Sequence, residues 1–275
     1  MKAKCNICPH HCELEEGRLG ICRGRRNMGG EVVSENYGKL TALALDPIEK
    51  KPLYHYYPGS RILSVGSYGC NLNCPFCQNY DISMTGGGET EFQEITCEEL
   101  VAKALEVKSR GNIGIAYTYN EPLIGYEFVR DSAKLAKSRG LKNVAVTNGY
   151  ICEEPLKELL PLIDAFNIDL KSFTEGFYHK LRGDLATVKQ SIKLASVRCH
   201  VEVTTLIIPG ENDSEVEMKA LSGWLAGIDP EIPLHISRFF PRWRMQDRSA
   251  TPVEKVFRLA EIARKNLKYV YEGNV

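Results

Sequence analysis

The sequence predicts an α/β fold built on a parallel sheet, arranged as an open, partial β/α barrel or as a doubly wound sheet. A small cysteine-rich module precedes it. Three observations carry this reading. From about residue 60, short apolar segments rich in Val and Ile alternate with helical stretches, an order that requires right-handed crossovers and parallel strands. Six such strand segments are present, too few for a closed eight-unit barrel. Residues 1–30 have a different composition and hold Cys5, Cys8, Cys12 and Cys22, four of the ten cysteines.

The elements follow in order. Residues 1–30 are basic around Arg23 to Arg26 and reach Gly29-Gly30, which reads as a boundary. Residues 31–60 hold two candidate strands, 31–37 and 40–46, joined by Gly38-Lys39. The core strands are 61–66, 113–119, 142–147, 164–170, 200–208 and 233–239. They show little alternation, as strands buried on both faces should. Thr96 and Glu99 form a capping box for a helix that runs to Gly111. Helical spacing continues over 123–139, with Gly140 after it, and over 186–197, 214–226 and 251–267. Ser214, three residues before Glu217, is the N-cap of the third of these. There is no internal repeat or flexible linker. The division is therefore 1–30, a metal-binding module; 31–60, a strand extension; and 61–275, the barrel.

Composition narrows the function classes. The chain has 275 residues with 35 basic and 35 acidic side chains, so its formal net charge is zero. That argues against broad electrostatic binding to nucleic acid or anionic membrane. No segment approaches the ~18 apolar residues of a membrane span. Met1 to His11 is polar and lacks the apolar stretch of a signal peptide. A soluble, cytoplasmic protein is expected. In a reducing compartment, cysteines serve as metal ligands or reactive thiols more than as staples.

The segment Gly69-Cys70-Asn71-Leu72-Asn73-Cys74-Pro75-Phe76-Cys77 follows the first core strand. Three thiolates on one loop can hold three irons of a cubane and leave the fourth open to a small molecule. The alternative is a structural zinc site completed by a ligand from elsewhere. In parallel α/β sheets the chemistry lies at the C-terminal strand ends, so the residues after each strand are the further candidates.

The loop resembles the signature of the radical S-adenosylmethionine (SAM) superfamily, in the branch of the pyruvate formate-lyase activating enzymes. The resemblance implies a partial (β/α)6 barrel and a 4Fe–4S cluster on Cys70, Cys74 and Cys77, beside Phe76. SAM would chelate the fourth iron and be cleaved reductively to a 5′-deoxyadenosyl radical that abstracts hydrogen. Tyr119-Asn120-Glu121-Pro122 stands where the superfamily has Gly-Gly-Glu, which implies Asn120 and Glu121 at the methionyl ammonium. Thr147-Asn148-Gly149 matches the Thr-Asn-Gly of the activating enzymes, preceded by Val146 where those enzymes carry Asp. Asp169-Leu170-Lys171 matches their Asp-Leu-Lys, and alternation puts Asp169 and Lys171 on one face; ribose and carboxylate contacts are implied. The same resemblance places His235 near adenine or substrate, against the plainer reading of a hydrogen-bonded core histidine. Gly86-Gly87-Gly88-Glu89 spells the glycine motif but lies at no strand end and reads as a loop. Arg238, Arg242 and Arg244 read as a solvated loop, and Cys97, Cys152 and Cys199 as packed thiols.

Cys5-x2-Cys8-x3-Cys12-x9-Cys22 supplies four thiols to a segment too short for a core, which fits zinc or a second iron–sulfur cluster. His10 and His11 are substitute zinc ligands. This leader, with Asp46-Pro47-Ile48-Glu49-Lys50-Lys51-Pro52-Leu53 and Tyr117 to Pro122, is similar to the radical SAM members of the AmmeMemoRadiSam group. Members of that group continue past the Gly-Asn-Val reached at Val275, so a missing C-terminal tail is expected. The implied function is glycyl-radical-enzyme activation, served by a ferredoxin- or flavodoxin-type electron donor and acting on a glycyl-radical or other protein substrate. The alternatives are radical modification of a small molecule or another protein residue, and a non-catalytic metal-binding scaffold. Neither a nucleic-acid nor a membrane partner is expected.

Overall fold

Glycine backbone geometry organises the first fifty residues. The computed structural model of the chain describes residues 1–275. Strands β1 (Ala3–Lys4) and β2 (Glu13–Leu14) pair antiparallel. Strands β3 (Arg25–Met28) and β4 (Glu31–Ser34) form a hairpin in which Met28 faces Glu31. Gly29 and Gly30, at φ +66° and +89°, are its two-residue turn. Two successive positive φ values are what a tight hairpin turn needs and what glycine supplies. The dipeptide is therefore a turn, not a boundary. The expected pairing of 31–37 with 40–46 is corrected with it, because β4 is already committed to β3.

Strand β5 (Lys39–Leu40) is followed by β6 (Ala42–Pro47), β7 (Arg61–Gly66) and the short helix α1 (Tyr80–Ser83). Strand β8 (Gln93–Glu94) pairs with β5. Then come α2 (Cys97–Glu106), β9 (Asn112–Tyr117), α3 (Tyr126–Ser138), β10 (Lys142–Thr147), α4 (Glu153–Leu159) and β11 (Ala165–Asp169). The chain ends with α5 (Glu175–Lys180), α6 (Leu185–Ser196), β12 (His200–Ile207), α7 (Glu215–Ala226), β13 (Leu234–Arg238), α8 (Val253–Ala263) and β14 (Val270–Gly273).

One sheet of eight strands runs in the order β14-β13-β12-β11-β10-β9-β7-β6. All its neighbours are parallel except β6, which lies antiparallel on β7 at one edge. The six expected core strands are all present. Strand β14 adds a seventh parallel strand that four residues near the end of the chain did not announce. The capping box is formed: Glu99 N donates to Thr96 Oγ1 at 3.1 Å and Thr96 N to Glu99 Oε2 at 2.8 Å. The helix it starts stops at Glu106, and a 3₁₀ turn, Lys108–Arg110, completes the expected span to Gly111.

Outer helices bury Leu100, Ala133, Ile192, Leu225 and Leu259 against the sheet. The concave side is closed at the bottom by the segment after β6, whose Ile48, Leu53 and Tyr56 pack on Ile62, Ala116, Val144 and Ala165. This segment is fastened by Glu202 of β12, a fully buried carboxylate. Glu202 accepts from Tyr54 N at 3.0 Å and His55 N at 2.7 Å, and pairs with His200 Nε2 at 2.9 Å and His235 Nε2 at 2.6 Å. The plug leaves the opposite end, at the C-terminal strand ends, as the open end.

Candidate active site

The loop after β7 is held from three sides before any side chain faces the cavity. Asn120, after β9, accepts from Ser67 N at 2.9 Å and donates to the carbonyls of Tyr68 and Gly69, both at 3.1 Å. Asn71 donates to the Tyr150 carbonyl at 2.6 Å. Cys70 N donates to the Cys22 carbonyl at 3.1 Å, which joins the loop to the N-terminal module. Gly69 makes that junction possible. Its φ is +87°, and a Cβ there would stand 2.4 Å from the Cys22 oxygen. Gly69→Ala is therefore expected to lower stability by more than the about 1–2 kcal/mol of left-handed strain alone. Thermal unfolding of the two proteins, with hydrogen exchange over residues 1–30, measures it.

Cys70, Cys74 and Cys77 line a cavity of about 340 Å³ at the strand ends, and no other cysteine does. That volume lies in the range of small-molecule sites. Glu121, Asn148, Asp169 and Lys171 line it too, so the strand-end residues are brought to the three thiols. Phe76 lines the same cavity and stacks on Phe177 with ring centroids 6.1 Å apart. Val146 gives an apolar contact in the wall. Asn148 Nδ2 lies 3.6 Å from Cys70 Sγ and 2.9 Å from Asn71 Oδ1, so it ties strand β10 to the thiol loop. A larger groove, about 840 Å³, lies on the surface around Tyr37 and Cys97 and gathers no thiols beyond that one.

Charge in the cavity is paired. Lys171 Nζ lies 3.0 Å from Asp169 Oδ2. Burial disfavours the Lys171 ammonium, but Asp169 and Cys74 outweigh that and raise its pKa. Burial pushes the Cys74 thiol up to about 12, with Lys171 opposing. Burial, with Glu121 and the neighbouring thiols, also raises Cys70. Glu121 is only 4% exposed, and burial lifts its pKa to about 7 despite hydrogen bonds from Asn148 N, Thr147 and Leu123 N. Those bonds measure 2.7, 2.6 and 3.0 Å. They aim the carboxyl at the cavity. A cationic ligand, or a metal that displaces thiol protons, relieves this set of protonated buried groups.

His235 corrects the expectation that it meets adenine or substrate. It shares a face of β13 with Ser237, which lines the cavity, but stands one layer deeper. There it is bound to Glu202 and packs edge-on to Tyr54, with centroids 4.7 Å apart. That depth was not legible in the sequence. Asn120 lines the cavity, yet its amide is spent on the loop backbone, so its part is positioning. Gly86 to Glu89 forms a surface turn closed by Glu89 N to the Gly86 carbonyl at 3.0 Å, outside the cavity. The arginine loop is more than solvated: Arg244 N donates to the Pro75 carbonyl at 3.0 Å, and Trp243 stacks on Tyr80 at 5.6 Å.

Lys50, Lys51, Tyr119 and Ser237 also line the cavity, beyond the residues that the sequence points to. Lys51 is 3% exposed, with its Nζ 2.8 Å from Asp46 Oδ2 and 4.5 Å over the Tyr119 ring. Tyr119 holds φ +72°, unusual for a bulky residue, and donates to Asp46 Oδ2 at 2.6 Å. The Asp46–Leu53 stretch carried the signal as a motif but not as a place in space.

A cluster-binding partial β/α barrel is the class of protein that this fold and these three thiols define. The chain belongs to the radical SAM superfamily, whose family model matches residues 64–221. It is 43% identical over 278 residues to an uncharacterized protein of Methanocaldococcus jannaschii, covering 100% of this chain and 82% of that protein. It is 27% identical over 165 residues to the pyruvate formate-lyase 1-activating enzyme of Escherichia coli K12, covering 58% of this chain and 65% of that enzyme. Among solved structures it resembles SuiB of Streptococcus suis bound to S-adenosylmethionine, with TM-score 0.56 and 12% identity over 77% of this chain and 51% of that one. That last likeness is one of fold. The family implies a 4Fe–4S cluster and SAM, and three free thiols on one cavity without a fourth fit a cluster with one open iron. No helix is long and apolar enough to cross a membrane.

Proposed function

We propose that the chain cleaves SAM reductively and takes a hydrogen atom from a protein substrate, in the manner of the glycyl-radical-enzyme activases it resembles. The observation that carries this is the convergence of Cys70, Cys74 and Cys77 with Glu121, Asn148 and the Asp169–Lys171 pair on one cavity. A 4Fe–4S cluster held by Cys70, Cys74 and Cys77 would supply the electron for reductive cleavage of SAM. The chain's own residues do the rest. Cys70, Cys74 and Cys77 hold the irons. Glu121, aimed by Thr147 and Asn148, accepts from the methionyl ammonium. Asp169 takes the ribose hydroxyls and Lys171 the carboxylate.

Substrate access supports a protein over an enclosed small molecule. The cavity lies at the C-terminal strand ends, opposite the plug that closes the other end of the concave side. A substrate then reaches the site across its mouth, as a projecting peptide loop can. A ferredoxin- or flavodoxin-type protein is the proposed electron donor. Deuterium transfer tests this reading. Anaerobic protein, SAM and a reductant are incubated with a candidate glycyl-radical protein labelled with deuterated glycine. Deuterium is expected in the released 5′-deoxyadenosine. Unlabelled product from that mixture, with label arriving only from a small molecule, sinks the protein-substrate reading. A chain with its irons in place that releases no 5′-deoxyadenosine is a scaffold instead.

A further inference from the structure

The N-terminal module has a core made of thiols. Within residues 1–30 the buried apolar side chains are Cys5, Cys8, Leu14 and Cys22. Cys12 is half-buried, and all four cysteines are free of disulfides. The segment has only short strands and no helix. Such a segment cannot fold on one leucine; a bound metal centre is the usual source of its order.

We propose that Cys5, Cys8, Cys12 and Cys22 hold a second iron–sulfur centre, closed by four thiolates, that relays electrons to the Cys70–Cys77 loop. The fold gathers these residues: Cys5 N donates to the Cys12 carbonyl at 2.9 Å, and a Cβ built on Gly20 would lie 3.7 Å from Cys12 Sγ and 3.8 Å from Cys22 Sγ. Four thiolates suit tetrahedral zinc or an iron–sulfur cluster, and the hydrogen bond from Cys70 N to the Cys22 carbonyl, at 3.1 Å, favours the redox-active of the two. His10 Nε2 lies 2.8 Å from the Asn71 carbonyl, which ties the module to the loop. A thiolate-capped centre is anionic and needs a nearby cation. Arg25 is 3% exposed; its two terminal nitrogens each donate to Glu127 at 2.7 Å, and its Nε has no partner.

The module's position gives the centre its role. The Cys22 carbonyl accepts from Cys70 N at 3.1 Å, so a ligand of one site is hydrogen-bonded to a ligand of the other. A second link runs from His10 to the Asn71 backbone, and from the Asn71 side chain to Asn148 beside Cys70. One electron enters from a low-potential ferredoxin- or flavodoxin-type donor and leaves for the cluster on the loop. The N-terminal centre returns to its oxidised state, and no bond of the polypeptide forms or breaks. The relay role rests on the cluster reading of Cys70, Cys74 and Cys77; the existence of the second centre does not.

The test is anaerobic reconstitution of the full chain with iron and sulfide, followed by metal and acid-labile sulfide analysis and electron paramagnetic resonance. About eight irons are expected in the parent and about four in the Cys70→Ala/Cys74→Ala/Cys77→Ala variant. Zinc in place of iron on the N-terminal thiols, or an iron-free loop variant, overturns the second centre. A parent with about four irons, all retained by the loop variant, sinks the loop reading and leaves the second centre standing. Because removing all four thiols can unfold the module, these counts avoid that variant. The relay is read with Cys12→Ser, the least buried ligand: reduction of the loop cluster by reduced flavodoxin should slow about tenfold or more. An unchanged reduction rate overturns the relay.

Discussion

Cys74→Ala is expected to lower release of 5′-deoxyadenosine by more than about a hundredfold, beyond the 10–100-fold typical of losing a group behind a metal ligand. Cys74 is one of three thiols on the cavity, and no fourth stands near to replace it. Its sulfur also faces Lys171, as does that of Cys77, so its loss removes one of the acidic groups beside a buried ammonium. The loop itself should keep its shape, because Asn120, Asn71 and Cys22 hold it through its backbone and the Asn71 side chain. Iron analysis should show loss of the loop cluster with an unchanged far-ultraviolet circular dichroism spectrum. Cys97→Ala is the control: its thiol lies near the Tyr37 hydroxyl, outside the cavity, and turnover should persist. Retained turnover in Cys74→Ala would contradict the assignment of the site.

Glu202→Gln carries the largest expected loss of stability. The carboxylate is fully buried and receives two backbone N–H groups and two imidazoles. An amide turns one acceptor into a donor facing other donors. Breaking such a buried set costs about 3–5 kcal/mol, or a fall in Tm on the order of 10 °C for a chain of this size. The same group sets an acid limit. Burial alone would raise its pKa, but hydrogen bonds from His200, His235 and the N–H groups of Tyr54 and His55 overcome that and lower it to about 2 from 4.5. A depressed folded-state pKa gives stability that is present above the unfolded value and is lost as pH falls through the folded one. Between about pH 4.5 and 2 the parent should lose about 3 kcal/mol through this group. The variant lacks that component, so urea unfolding of both proteins across the window should show their difference shrinking as the pH falls. A constant difference would show that Glu202 does not titrate with folding.

Much of the site was legible in the chain because its chemistry is local. Cys70, Cys74 and Cys77 sit within eight residues, so their spacing alone limits them to one loop and one metal group. Glu121, Asn148, Asp169 and Lys171 were reachable because a parallel sheet puts every strand's C-terminal end on the same side. Alternation along β11 then placed Asp169 and Lys171 together. His235 shows where that reasoning stops. The resemblance gave it a place by the ligand, yet nothing in Leu234-His235-Ile236-Ser237 says which layer of the concave side it occupies. The partner that decides it, Glu202, is 33 residues away. Lys51 and Tyr119 were hidden for the same reason: their contact with Asp46 joins β6 to the end of β9.

The sequence by itself determined the α/β class, the three-thiol loop and the side of the sheet that bears the chemistry, since these follow from periodicity and short spacing. Only the tertiary structure decided that β4 turns back on β3, that β14 forms the far edge of the sheet, and that the N-terminal module is joined to Cys70 through the Cys22 carbonyl. Those outcomes depend on contacts between distant segments, and their energy is set by which surfaces and backbone groups meet rather than by any local pattern.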